Sequence, residues 1–150
     1  MQHPIPPMSP RAVEFFAMFS RMEYALKRCD KFRSNRKGFV EAEWATFAGD
    51  VRVDGLYTQL AQQCEANELV HLPPTQREIS GHSLEWGKPP PKCKDMKDII
   101  RALRNVRNNL LHGEKGCGED ARDIRLFDSA IFVMNEMLEA CPEVSANYWF

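Results

Sequence analysis

The stretch from Lys94 to Gly118 constrains the fold most, because it predicts an amphipathic helix with a polar cluster at its end. Its apolar residues recur at steps of three and four residues, which places them on one helical stripe. The stripe comprises Met96, Ile99, Ile100, Leu103, Val106 and Leu110. Glycines follow at Gly113 and Gly116, and glycine commonly stands just past a helix C-terminus. The helix is therefore expected to end close to His112.

Polar side chains that fall off this stripe are available for chemistry or for a partner. Asn108 is four residues before His112, so an unbroken helix places both on one face, where Asn108 can hydrogen-bond an imidazole nitrogen. Arg107 is five residues before His112, about 140° around an ideal helix. Arg107 and His112 can bind the same small group if the helix unwinds near Leu111, or if a second copy of the helix faces the first. The spacing thus predicts a homodimer.

The run from Arg107 to His112, RNNLLH, resembles the signature of the HEPN superfamily, in which Arg and His lie a few residues apart and Asn often follows the Arg. The short form RNxxxH is matched in every letter, and a glycine after the His, here Gly113, is common in such proteins. Many HEPN proteins are metal-independent endoribonucleases of toxin–antitoxin, abortive-infection and CRISPR systems. Others have lost activity and bind RNA or a partner. The motif itself covers only these few residues, within a helical pattern that covers most of the chain.

The resemblance implies a catalytic set of Arg107, Asn108 and His112 that needs no metal and no cofactor. His112 titrates near neutral pH and can act as base or acid when a ribose 2′-OH attacks the adjacent phosphorus. Arg107 offers phosphate a permanent charge and a planar fork of donors. Asn108 would orient His112 or donate to the phosphate. The expected products are a 2′,3′-cyclic phosphate and a 5′-hydroxyl end.

Three further residues are candidates for binding the RNA substrate: Arg104, Lys115 and Glu23. HEPN proteins often carry a polar or acidic residue on another helix near the Arg–His pair, and Glu23 fits that description. Its alternative is a surface ion pair with Lys27, four residues later. In HEPN toxins that are neutralised by nucleotidyltransferase antitoxins, a Tyr commonly lies two residues after the His. Glu114 stands there in this chain, so a protein antitoxin that acts by binding is the expectation that remains.

Each of these residues also has a purely structural interpretation. A His before a glycine at a helix end is often a C-terminal cap, and the helix dipole favours Arg at the same end. A second class of function is therefore a catalytically silent HEPN-like dimer that binds RNA, a nucleotide or a partner protein. A third is a structural helical adaptor, which leaves Arg107, Asn108 and His112 unexplained.

Composition bounds the class of protein. A chain of 150 residues with 43% hydrophobic residues predicts one domain with a real core. The net charge is −1, but the segment from Lys27 to Lys37 is strongly basic. This segment either makes a localised contact with phosphate or is a solvated loop. Five widely spaced cysteines and four histidines without metal-ligand spacing predict reduced thiols and no metal site. The chain lacks an apolar signal core and a membrane-length apolar run, so a cytoplasmic protein without a membrane partner is expected.

The expected fold is all-α, an up-and-down bundle of four to five helices with a long Pro/Gly-rich loop before the penultimate helix. One domain spans 1–150, with a flexible N-terminus over 1–9, the long loop over 68–93 and an aromatic tail over 142–150. A short hairpin within the loop is one alternative, and Trp86 either packs on the core or stacks on a base. The tail either folds back or forms a dimer contact. The first helix is expected from Pro10 to about Cys29 or Phe32. The next two, from Glu41 to about Val53 and from Leu56 to about Asn67, are either separate or one bent helix. Two more are expected, one ending near His112 and one from Asp120 to Ala140.

Overall fold

The computed structural model describes residues 2–3, 8–111 and 121–149, with the backbone alone for 77–80, 84 and 111. These residues are mostly helical, as expected, but they also form two antiparallel hairpins, β1–β2 and β3–β4. The helices are α1 Pro10–Arg28, α2 Trp44–Ala48, α3 Val51–Asp54, α4 Tyr57–Leu60, α5 Asn67–His71, α6 Met96–Leu111, α7 Ala121–Ala140 and α8 Pro142–Tyr148. The strands are β1 Arg33–Arg36, β2 Phe39–Ala42, β3 Arg77–Ser80 and β4 Ser83–Trp86. The described residues thus form three long helices and several short ones, whereas a bundle of four to five helices was expected.

Helix α1 forms as its sequence predicts. The Ser9 hydroxyl accepts a hydrogen bond from the Ala12 amide at 3.1 Å, and Pro10 occupies the first helical position. Its apolar stripe is buried, and the helix packs against α7 and α8. The N-terminal segment 1–9, expected to be flexible, lies largely outside the described residues.

Helix α6 presents the predicted stripe to the core. Met96, Ile99 and Leu103 are fully buried, and Val106 nearly so. Leu110 is partly buried against the same core. Helix α7 lies beside α6 and α1, and Phe127 on α7 contacts Phe15 on α1 with ring centroids 5.7 Å apart. The long helices therefore enclose the core, and the polar side of α6 remains at the surface.

The region between the first hairpin and α5 differs from the expected pair of helices. Glu41 lies in β2, paired with β1, so the helix expected to start there begins only at Trp44. Helix α2 ends at Ala48, and α3 begins afresh because the Asp50 carboxylate accepts a hydrogen bond from the Arg52 amide at 3.0 Å. Local capping therefore overrides the continuous apolar period.

The segment 68–93, expected as one loop, contains most of α5 and the β3–β4 hairpin. It is fixed to α6 by two hydrogen bonds, from Gln76 Nε2 to Asn105 Oδ1 at 2.6 Å and from Asn109 Nδ2 to Thr75 O at 3.1 Å. The prolines stand outside the strands, where their missing N–H groups are tolerated. Trp86, at the end of β4, remains partly exposed.

The segment 142–150, expected as a tail, contains helix α8. Pro142 ends α7 and also opens α8, at the position where a missing N–H costs least. Arg21 on α1 donates to the Tyr148 carbonyl oxygen through Nε at 2.9 Å and Nη2 at 2.6 Å. The chain therefore folds back onto α1, one of the two expected outcomes. Among the described helices, none is long and apolar enough to cross a membrane.

An ion-pair network fixes α3 to α8 and to the turn before β1. The Asp50 side chain is only 3% exposed and accepts from Lys31 Nζ at 2.8 Å and from Arg52 Nε at 3.0 Å. Arg52 also holds both carboxylate oxygens of Glu143 on α8. These hydrogen bonds hold the pKa of Asp50 well below its usual range and lower that of Glu143 to about 2. The network is structural, and it anchors the base of the first hairpin.

Candidate functional site

Arg107 lies on α6 near the end of the described helix, and its guanidinium group lies over an aromatic ring of α1. Its Cζ atom is 5.2 Å from the ring centroid of Phe19, within the range of a cation–π contact. The Arg107 side chain is half-buried, and its Nε is buried without a hydrogen-bond acceptor among the described residues. Arg107 is therefore positioned by packing rather than by an ion pair.

The ring beneath Arg107 belongs to a buried aromatic cluster. Phe19 is 1% exposed and stacks on Trp44, with ring centroids 5.1 Å apart and an interplanar angle of 24°. Trp44 in turn contacts Phe47 edge to face. The aromatic support thus comes from α1 and α2, two elements remote in sequence from α6. No spacing within the motif predicts this neighbour of Arg107.

The two asparagines after Arg107 have different surroundings. Asn109 is 7% exposed, and its amide donates to the Thr75 carbonyl oxygen, so it ties the Pro-rich segment to α6. Asn108 is partly exposed and makes no hydrogen bond within the described chain. Asn108 therefore lacks a hydrogen-bond partner among the described residues, and its pairing with His112 stays a prediction. Asn109 has a structural role that the motif alone does not distinguish.

His112 and Lys115 lie outside the described residues, so their placement stays a prediction. Helix α6 is helical through Leu111, the last residue described before that gap. The backbone therefore carries the helical register of Arg107 and Asn108 up to the residue before His112.

The other two candidates, Arg104 and Glu23, form no ion pair among the residues that the structure describes. Arg104 is exposed on α6, one turn before Arg107. Glu23 is partly buried on α1, one turn after Phe19 and thus on the same side of the helix. Within the described chain Glu23 makes no ion pair, so the alternative pair with Lys27 does not form. Glu23 and Arg107 are therefore both neighbours of Phe19, from two different helices.

A cleft of about 290 Å³ lies between the Pro-rich segment and the neighbouring ends of α6 and α7. Trp86 and Asn109 line it, with Arg122, which donates to the Leu72 carbonyl oxygen at 3.0 Å. Trp86 therefore faces a cleft instead of packing into the core. The position of Trp86 beside this cleft depends on how the hairpin packs against α6 and α7, which sequence spacing does not encode.

The cysteines of the described chain are free, as predicted: Cys29, Cys64, Cys93 and Cys141. Burial raises the pKa of the Cys93 thiol to about 12 and that of the Cys141 thiol to about 11, so both are poor nucleophiles. In the part of the chain that the structure describes, no group of three or more His, Cys, Asp or Glu residues is arranged to hold a metal ion.

Comparison of the chain with protein-family models, with curated proteins and with solved structures finds no match. The resemblance to HEPN proteins therefore rests on the motif and on the helical setting of Arg107.

Proposed function

We propose that this chain is a metal-independent endoribonuclease of the HEPN type that cleaves RNA with Arg107 and His112, supported by Asn108. The observation that carries the proposal is the state of Arg107. Arg101 pairs with Asp98, and Arg125 pairs with Glu68. Arg107 is more buried than either, yet it faces no carboxylate within the described residues. A partly desolvated arginine without a counter-ion favours an anionic ligand, and phosphate fits its fork of donors.

The proposed reaction uses these side chains in one in-line displacement. His112 takes the proton from the ribose 2′-OH, and the 2′-oxygen forms a bond to the adjacent phosphorus. The bond from phosphorus to the 5′-oxygen breaks, and that oxygen receives a proton from an acid such as the second His112 of a dimer. Arg107 neutralises the charge that builds up on the phosphoryl oxygens. DNA lacks the 2′-OH and is not cut by this route.

The active form is proposed to be a homodimer. Arg107 and His112 diverge by about 140° on one ideal helix, so two facing copies of α6 are the simplest way to bring both groups to one phosphate. The polar side of α6, with Arg104 and Asn108, faces outward and is available for that approach. We further propose a cytoplasmic toxin or antiviral-defence role with a protein antitoxin as partner, and a helical bundle of HEPN type as the underlying fold.

The test is incubation of the purified protein with end-labelled single-stranded RNA in EDTA, beside Arg107→Ala and His112→Ala. Arg125→Ala serves as the matched control, because it removes an exposed, ion-paired arginine from another helix. Cleavage by the wild type and the control alone, leaving cyclic-phosphate ends, is the expected result. Equal cleavage by all four proteins would indicate a contaminating nuclease, and cleavage by none across several RNAs would contradict the proposal.

The second candidate function is a catalytically silent dimer that binds RNA, a nucleotide or a partner protein. It is favoured by the contact of Arg107 with Phe19, since packing on a ring gives Arg107 a role without catalysis. Retention of RNA by a dimer that never cuts it would select this function.

A further inference from the structure

The basic segment found in the sequence is a β-hairpin that carries an exposed aromatic ring. Strands β1 and β2 pair with Arg36 opposite Phe39, and a two-residue turn joins them. Lys37 and Gly38 have positive φ angles of 51° and 83°, the combination that fits the twist of a tight hairpin. Phe39 is 73% exposed. A large aromatic side chain that is exposed at such a tip contributes little to the core and is accessible to a ligand.

The cationic side chains of this hairpin differ between its base and its tip. Arg33, at the base, pairs with Asp30, and Lys31 pairs with Asp50. By contrast Arg36 and Lys37, at the tip, meet no carboxylate within the described chain. Residues opposite each other in an antiparallel pair lie on one face, so Arg36 and Phe39 share a face of the hairpin. The tip thus combines a flat π surface with two unpaired cations.

The base of the hairpin is fixed to the elements that support Arg107. The Glu43 amide, directly after β2, donates to the Phe32 carbonyl oxygen at 2.8 Å. The next residue, Trp44, stacks on Phe19, whose ring also receives Arg107. The hairpin and the candidate catalytic arginine are therefore attached to the same aromatic cluster.

We propose that the tip of this hairpin is a binding surface for single-stranded RNA, with an unpaired base stacked on Phe39 and the flanking phosphates bound by Arg36 and Lys37. Aromatic stacking beside positive charge is the common way in which proteins hold unpaired RNA. A membrane surface fits less well. Phe39 and its neighbour Val40 point to opposite faces of the strand, so neither face presents more than one apolar side chain to a bilayer.

The inference rests on the proposed function only in that both name RNA as the ligand, and binding can be measured apart from cleavage. A fluorescent single-stranded RNA with 2′-O-methyl groups cannot be cut by 2′-oxygen attack, so its anisotropy reports binding by the intact protein. The variants are Phe39→Leu, which keeps an apolar side chain but removes the ring, and Phe39→Trp, which restores a ring. Trp149→Leu is the matched control, because Trp149 is also an exposed aromatic residue, at the far end of the chain.

Phe39→Leu is expected to weaken binding about 5- to 150-fold, which is the range of one base stacked on one ring. Phe39→Trp and Trp149→Leu should bind within about twofold of the wild type, since each leaves one ring at the tip. A double change, Arg36→Gln with Lys37→Asn, should reduce the slope of log affinity against log salt by about 1.4, for two lost phosphate contacts to a single strand. Asn is chosen at position 37 because it tolerates a positive φ.

Cleavage of unmodified RNA by the wild type separates the two proposals. If the wild type cuts RNA and Phe39→Leu binds as tightly as the wild type, the hairpin surface is wrong and the ribonuclease stands. Binding that depends on Phe39 without any cleavage leaves the hairpin surface standing and removes the ribonuclease. Unchanged RNA affinity of both hairpin variants, with wild-type protein that sediments with phosphatidylserine vesicles, would overturn the RNA surface in favour of a membrane.

Discussion

Arg107 of α6 lies over the ring of Phe19 of α1, with its Cζ atom 5.2 Å from the ring centroid. The contact joins two helices that are remote in sequence and aligns an arginine that has no carboxylate partner in the described residues. Because the ring is itself held by Trp44, the position of the guanidinium depends on the aromatic cluster as well as on α6. Changes beneath Arg107 should therefore affect its chemistry.

Phe19→Leu should lower RNA cleavage about tenfold or more while the protein remains folded. Leucine preserves most of the buried volume, so the loss of stability is expected to stay near 1 kcal/mol, but it removes the π surface beneath Arg107. Misplacement of a phosphate-binding group by about 1 Å can cost two orders of magnitude in rate. Phe15→Leu is the control, since Phe15 is equally buried and contacts Phe19 and Phe127. Equal activity of the two variants would refute a positioning role for Phe19.

The neighbouring asparagines should separate activity from stability. Asn109→Ala removes a buried amide and leaves the Thr75 carbonyl oxygen without its donor, so unfolding free energy should fall by about 1–3 kcal/mol. Asn108→Ala removes a partly exposed side chain and should change stability by less than about 0.5 kcal/mol. Cleavage should instead fall in Asn108→Ala, because the partner of His112 is lost. Urea unfolding and RNA cleavage of both variants test this, and the reverse pattern would show that the roles are exchanged.

Arg107→Ala should remove cleavage with little effect on stability. The cation–π contact is worth about 0.5–1 kcal/mol, and the buried Nε that lacks an acceptor offsets part of it. The unfolding free energy is therefore expected to change by less than about 1 kcal/mol, whereas loss of a charge-stabilising group typically lowers kcat by about 100-fold or more. Thermal unfolding measured beside the cleavage assay checks both. A loss of stability above about 2 kcal/mol would instead favour a structural arginine.

Stability should fall in acid because of the network around Asp50 and Glu143. Both carboxylates have a lower pKa in the folded chain, that of Glu143 being about 2 against an ordinary 4.5. The unfolded chain therefore binds protons first, and unfolding free energy decreases as the pH falls from about 4.5 through 2. Glu143→Gln should be less stable than the wild type at neutral pH and lose less on acidification. The control Glu139→Gln, an exposed carboxylate of α7, should keep the steep wild-type pH dependence of the urea midpoint.

Local patterns determined the parts of the fold that depend on neighbouring residues. The Ser9-Pro10 start of α1 and the apolar stripe of α6 follow from capping and from the helical period, and both are present. The motif likewise fixed which residues of α6 are candidates for chemistry, since Arg107 and Asn108 fall off the buried stripe wherever the helix lies. Their selection needed no tertiary information.

Only the tertiary structure decided how those residues are surrounded. The stack of Arg107, Phe19 and Trp44 joins three separate helices, two of them far from α6 in sequence, and no local period encodes such contacts. The same holds for the hydrogen bond from Asn109 to the Thr75 carbonyl oxygen. It also holds for the β1–β2 hairpin, which places Phe39 exposed beside the basic residues at its tip. Sequence spacing places a side chain on a face of its own element, whereas its neighbours depend on how the elements pack around a shared core.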